Sequence, residues 1–244
     1  MGDVNVDPNL LRPRCDELFQ SIQAKFASSG IASDKWYLVA LSALTSTPEA
    51  HLADQLYLYL TNQPEYVSHD SRQELIRRIR ETLLKATALL GIPKPAEALI
   101  AIGRVERDSD TDLSFSREGW QRDQDNHLRG MTWLKQVYAH NTTALLDLFQ
   151  NHRDFGFWVC DMAYGLLLSD RQVLDDVDTE LIALPAVMGQ NMPRQTYWHI
   201  RGTRRLGIPK EDVQMVCDCV HEVARFCGIE LDRLPSVDVV ENGI

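Results

Sequence analysis

The chain predicts an all-α fold on two observations, and a third organises it. Apolar residues recur at helical spacing between recognisable starts and stops. In those stretches β-branched residues are few, and no Asn-Gly turn separates alternating runs. Finally, Leu90-Gly91-Ile92-Pro93-Lys94 recurs as Leu206-Gly207-Ile208-Pro209-Lys210, each copy closing one helix and opening the next. Glycine supplies the left-handed stop, and proline sits in the following first turn, where its missing N–H costs nothing.

Taken in order, helices are expected at about Pro8–Ser28, at Ser33–Ser46 (with the apolar run that starts at Trp36) and at Glu49–Thr61. The clearest is Ser71–Leu90. Ser71 and Glu74 have capping-box spacing, Leu75, Ile79, Leu83 and Leu90 form the apolar stripe, and Gly91 and Pro93 stop it. Lys94–Ile102 follows. Then comes Glu106–Asn126, a polar, turn-rich stretch with no helical stripe, which reads as a linker loop anchored by Trp120. Beyond it, helices are expected at Gly130–Asn151, Asp154–Leu168, Asp176–Gln190, Pro193–Leu206 and Lys210–Cys227. The repeated helix–LGIPK–helix order divides the chain into an N-terminal half (1–105), the linker (106–126) and a C-terminal half (127–244), read as a duplicated half-domain. The first half carries about 28 extra residues before its LGIPK, and Leu83 stands where the second half has His199. Only the second half is equipped for chemistry.

Composition narrows the function classes. The 244 residues are 44% hydrophobic and 25% charged, with a net charge of −10 and no basic run longer than Arg77-Arg78-Ile79-Arg80. A nucleic-acid partner and an anionic membrane surface are therefore not expected. No apolar run approaches the roughly 18–20 residues of a membrane span. The N-terminal stretch lacks a secretory apolar core, and the C-terminal residues are not a peroxisomal or retention address. Five irregularly spaced cysteines (Cys15, Cys160, Cys217, Cys219 and Cys227) do not make a disulfide framework, and no Cys or His pairs have zinc-site spacing. The cytoplasm is the expected compartment, an organelle being compatible, and no metal or cofactor is expected. Cys217 and Cys219, two apart on a helix, point to different faces and read as packing residues.

Two ionisable groups stand out on adjacent helices. Glu180 lies in the first turn of one helix, where a carboxylate is favoured by free N–H groups. On the next, Met192, Gln195, His199 and Gly202 share a face at about 100° per residue. Gly202, a poor helix former, marks a close approach by another backbone at that face. If the helices meet, Glu180 orients His199 for general acid–base work. The plainer alternative is a satisfied interior histidine beside a helix-start carboxylate. Arg201, Arg204 and Arg205 are candidate carboxylate clamps, or a basic stripe complementing a helix C-terminus. Tyr197, Trp198, Trp158 and Tyr164 are weaker candidates for pocket walls.

Over about 100 residues, Gly130 to Gly228, the chain resembles the alkylhydroperoxidase D / carboxymuconolactone decarboxylase superfamily. The resemblance rests on Tyr164-Gly165, Thr179-Glu180-Leu181, His199-Ile200-Arg201-Gly202, and Leu206-Gly207 with the acidic helix after it. In the peroxidase branch a Glu is followed by Cys-x-x-Cys and then by His. Glu180 and His199 match that pattern without a gap, but the cysteine positions hold Met192 and Gln195. The resemblance therefore implies proton-transfer chemistry rather than thiol chemistry. The decarboxylase branch carries Arg just before the Glu, where this chain has Thr179, so the substrate of that branch is not carried over.

What the resemblance implies is an alkylhydroperoxidase D-like helical fold and a homo-oligomer. It also implies a cofactor-independent enzyme that decarboxylates or isomerises a small organic acid or lactone. His199 is then the acid/base, Glu180 its orienting partner, and Gln195, Met192 and Arg201 the substrate contacts. The alternatives are a catalytically silent relative serving assembly and, more remotely, hydroperoxide reduction.

Overall fold

A computed structural model describes residues 8–241, and among them it is all-α, with no strand. The α-helices are α1 (Pro8–Ala27), α2 (Trp36–Ser46), α3 (Ala53–Thr61), α4 (His69–Leu90) and α5 (Pro93–Val105). They continue with α6 (Gln124–Tyr138), α7 (Thr142–Asp147) and α8 (Arg153–Phe157), which runs on as a π-helix over Trp158–Leu168. The last are α9 (Asp176–Met188), α10 (Pro193–Arg205), α11 (Lys210–Phe226) and α12 (Val237–Glu241). No described helix is long and apolar enough to cross a membrane.

The centre of the molecule is α2 against α9. All eleven residues of α2 are buried, and so is α9 from Asp178 to Met188, because each is surrounded by other helices rather than presenting one face to water. Ser42 Oγ donates to the Ile182 carbonyl at 2.6 Å across this contact. The helix α9 also packs on α4 and α10, and α2 on α4 and α11. One apolar core thus draws on both sequence halves, from Phe19 and Trp36 to Val216 and Val240. A second core, built on Trp133, Leu134, Tyr138 and Tyr164, joins α6 to the π-helix and receives Trp198 of α10. Gly130 lets those two helices meet: a Cβ there would run into the Cys160 carbonyl and the Gly165 backbone.

Several elements differ from the sequence expectation. The cap of α4 is Ser68, which accepts from the Ser71 N–H, so the helix starts two residues before Ser71. The expected helix Gly130–Asn151 begins earlier, inside the stretch read as linker, where Asp123 caps α6. It then breaks at Ala139, whose φ of 48° is left-handed, and resumes as the short α7. Helical periodicity does not register a single residue of reversed φ. Glu180 is not in the first turn of α9. Asp175 and Asp178 form a reciprocal capping box there, and Glu180 lies in the second turn. Both LGIPK glycines do take the predicted positive φ, 73° at Gly91 and 88° at Gly207.

The polar stretch after α5 is held by buried charge rather than by Trp120 alone. Arg72 grips the fully buried Asp110 through two donors, at 2.5 and 3.0 Å. Arg117 inserts between α4 and the π-helix, and Trp120 lies half-buried, between the guanidinium groups of Arg117 and Arg129.

Candidate functional site

Successive helix residues point about 100° apart, so neighbours on a central helix face different partners. On α9 this separates Thr179 from Glu180. Thr179 faces α4, where Lys85 Nζ donates to its hydroxyl at 2.9 Å. Glu180 faces α10, where its Oε2 lies 3.0 Å from His199 Nδ1. The structure brings together the two residues that the sequence singled out, and both are buried, 1% and 2% exposed.

A carboxylate only accepts, so this contact puts a proton on Nδ1 and turns Nε2 away from Glu180. Nε2 has no polar partner among the described residues. Tyr138 of α6 stands edge-on to the imidazole, with ring centroids 6.5 Å apart, and packs on Trp198 at 5.7 Å. Its hydroxyl accepts from Tyr164 of the π-helix at 3.1 Å. Burial pushes the Tyr138 phenol up to about 12 despite the Tyr164 hydrogen bond, and the nearby Glu180 charge adds to that. Tyr164 is raised well above the ordinary tyrosine value by the same burial and by Tyr138. Both phenols are therefore protonated donors at any physiological pH. The site is a carboxylate, an imidazole and two hydroxyls, each from a different helix.

Gly202 explains how α10 comes so close. A Cβ there would lie 2.7 Å from Val137 Cγ1 and 3.2 Å from Glu180 Oε2. The close approach expected of another backbone is made instead by a side chain of α6 and by the carboxylate itself. Thr203 donates to the His199 carbonyl at 2.7 Å, within α10.

The other candidates are scattered. Gln195 is half-buried one turn before His199, and Met192, preceding the first turn of α10, is 42% exposed. Arg201 is buried, donates to the Tyr197 hydroxyl at 2.9 Å, and lies over the rings of Tyr197 and Trp198. Arg204 pairs with Glu241 of α12, and Arg205 donates to the Val137 carbonyl and to Asn141. Trp158 is half exposed, whereas Tyr164 is buried.

Sequence reading missed Tyr138, whose position at the end of α6 only the fold reveals. It also missed a buried charge cluster beside the site. Lys85, fully buried, donates to the carbonyls of Leu168 and Asp170 as well as to Thr179. Glu81 takes two donors from Arg117, at 2.6 and 2.7 Å, and Asp170 lies 3.1 Å from the same guanidinium. Burial lowers the Lys85 amine to about 8, against the opposing pull of Glu81. Glu81 and Lys85 are one helical turn apart, the single signal available in sequence, and it reads equally well as a surface pair.

A cleft of about 820 Å³ lies elsewhere, along the N-terminal end of α6 and the start of the π-helix. Its lining includes Arg122, His127, Arg153 and Asp161 but neither Glu180 nor His199. Among the described residues no three His, Cys, Asp or Glu side chains converge on a metal position. The five cysteines are free. Burial raises every thiol, Cys15, Cys217 and Cys219 to about 12 and Cys227 to about 11, so none is a ready thiolate.

No family model matches the chain, and no solved structure matches it. It is similar to Peroxisomal protein 2 of Schizosaccharomyces pombe, 25% identical over 183 residues that span 69% of this chain and 82% of that protein. It is also similar to Peroxisomal protein 2 of Saccharomyces cerevisiae, 20% identical over 182 residues, 65% of this chain and 64% of that protein.

Proposed function

We propose that the chain is a carboxymuconolactone decarboxylase-like, peroxisome-associated enzyme that moves a proton on a small organic acid or lactone without a cofactor. The observation that carries this is the buried 3.0 Å contact between Glu180 and His199. Glu180 fixes the tautomer and ring orientation, and Nε2 is the atom that takes and returns the proton, next to a carbonyl or a leaving carboxylate. Gln195 is a neutral donor where the peroxidase pattern has a thiol, and the protonated thiols argue against hydroperoxide reduction. The peroxisomal association rests on the names of the two similar yeast proteins. Assembly into a homo-oligomer belongs to the same reading.

A second reading, a silent relative serving assembly, is favoured by a different observation. Tyr138 packs against the imidazole with Trp198 against Tyr138 in turn, and a large cleft opens elsewhere. One experiment separates the two. The purified chain and its His199→Gln variant are incubated with a small-molecule extract of peroxisomes in deuterated water, and metabolite masses are compared. The enzyme reading expects at least one carboxylated compound to lose CO2 or gain deuterium with the native chain, at a rate about 100-fold or more above the variant. Identical profiles would hand the lead to the assembly reading.

A further inference from the structure

In a chain of net charge −10, buried arginines ordinarily find acidic partners, as Arg72 and Arg117 do. Arg201 and Arg205 of α10 do not. Neither lies within 4.0 Å of a carboxylate among the described residues, although Arg201 is only 5% exposed and Arg205 is half-buried. One helical turn apart on the same helix, they repel each other, and burial leaves that repulsion poorly screened. Burial and the Arg201 charge both pull the Arg205 guanidinium below its ordinary value, with only the Tyr197 hydroxyl opposing. Leaving buried charges unpaired is costly, so a missing counter-charge is the simplest completion of the arrangement.

The donors point the same way. Arg201 gives Nη1 to Tyr197, while its Nε is buried without an acceptor. The guanidinium carbon lies 5.4 and 5.5 Å from the ring centroids of Tyr197 and Trp198, which restricts its orientation, while Arg205 is held by the Val137 carbonyl and Asn141, both neutral acceptors. A fixed guanidinium edge and a second cation one turn away match the paired oxygens of a carboxylate or phosphate.

We infer that Arg201 and Arg205, with Tyr197 and Trp198, form a binding site for a small oxyanion, a carboxylate or phosphate group. Arg201 follows His199 by two residues and so points about 200° around α10 from it. This is a second site on the far side of the helix that carries His199, and it does not depend on the acid–base reading.

The test follows the Trp198 indole ¹H–¹⁵N resonance, assigned through Trp198→Phe, in the full chain. Sodium phosphate and sodium succinate are titrated separately against sodium chloride at matched ionic strength. A saturable shift with either oxyanion and none with chloride is expected, and which of the two binds tighter distinguishes phosphate from carboxylate. Arg201→Lys, which keeps the charge and loses the fork, should weaken binding about tenfold or more. Arg205→Gln, at a half-buried position that threatens folding less, should weaken it as well. No saturable shift up to about 10 mM, or binding unchanged in Arg205→Gln, would overturn the site.

Discussion

The helices α4 and α10 occupy corresponding places in the two LGIPK repeats, and they grip adjacent residues of α9 in opposite ways. On the α4 side, Lys85 gives its three protons to Thr179, Leu168 and Asp170, and Glu81, Arg117 and Asp170 neutralise one another around it. On the α10 side, His199 meets Glu180 through one nitrogen and, among the described residues, leaves the other without a protein partner, while Arg201 and Arg205 have no acid beside them there. A saturated network locks helices together and offers nothing to a ligand. An unsaturated one leaves lone pairs and donors free for chemistry or binding. The same turn and the same central helix therefore carry a structural face and a candidate functional face.

The sharpest way to break this comparison is to remove the centre of the saturated side. Lys85→Met leaves Glu81, Asp170 and two carbonyls short of a cation, and should lower stability by about 3–5 kcal/mol in urea denaturation. His199→Gln in the same assay should lose only about 1–2 kcal/mol. If the two losses came out equal, the distinction between the faces would collapse. Next in size, Gly202→Ala forces a methyl against Val137 and Glu180, and should cost about 1–3 kcal/mol. Adding Val137→Ala should recover part of that loss, since it removes one of the two contacts; no recovery would move the strain to Glu180.

The smallest effect is on acid stability. The two donors of Arg72 hold the Asp110 carboxyl below the ordinary aspartate value, even though burial opposes them. Its contribution is therefore fully present above the unfolded value, near pH 4, and is lost as pH falls through the lower folded value. Hydrogen exchange, corrected for intrinsic rate, should show residues 106–118 losing protection as pH falls below about 4, before α10 does. Simultaneous loss in both regions would mean that the polar segment is not an independent acid-sensitive clamp.

Much of this was legible in the chain. Helical stripes, the LGIPK stops and the Glu180/His199 spacing are local patterns, and the helices, the turns and the buried pair follow them. What escaped was non-local or depended on one backbone angle. Ala139 breaks a helix whose apolar pattern runs straight through it. Ser68 displaces Ser71 as the cap because both have the right chemistry, and only the chain's path chooses between them. Asp110 and Arg117 sit in a stretch that reads as solvent-loving because charge alone does not reveal whether its partner waits inside the fold. Tyr138 reaches the site only through the packing of α6 on α10.

The pairing of α2 with α9 sets a timetable for synthesis. Ser42 and Ile182 are 140 residues apart in the chain, and α2 has no solvent face to present while it waits. At roughly 5–20 residues per second, α9 leaves the ribosome on the order of ten seconds after α2. Through that interval, an eleven-residue helix buried on every side in the finished molecule has no central partner, a span in which a chaperone that binds apolar segments has its clearest opening.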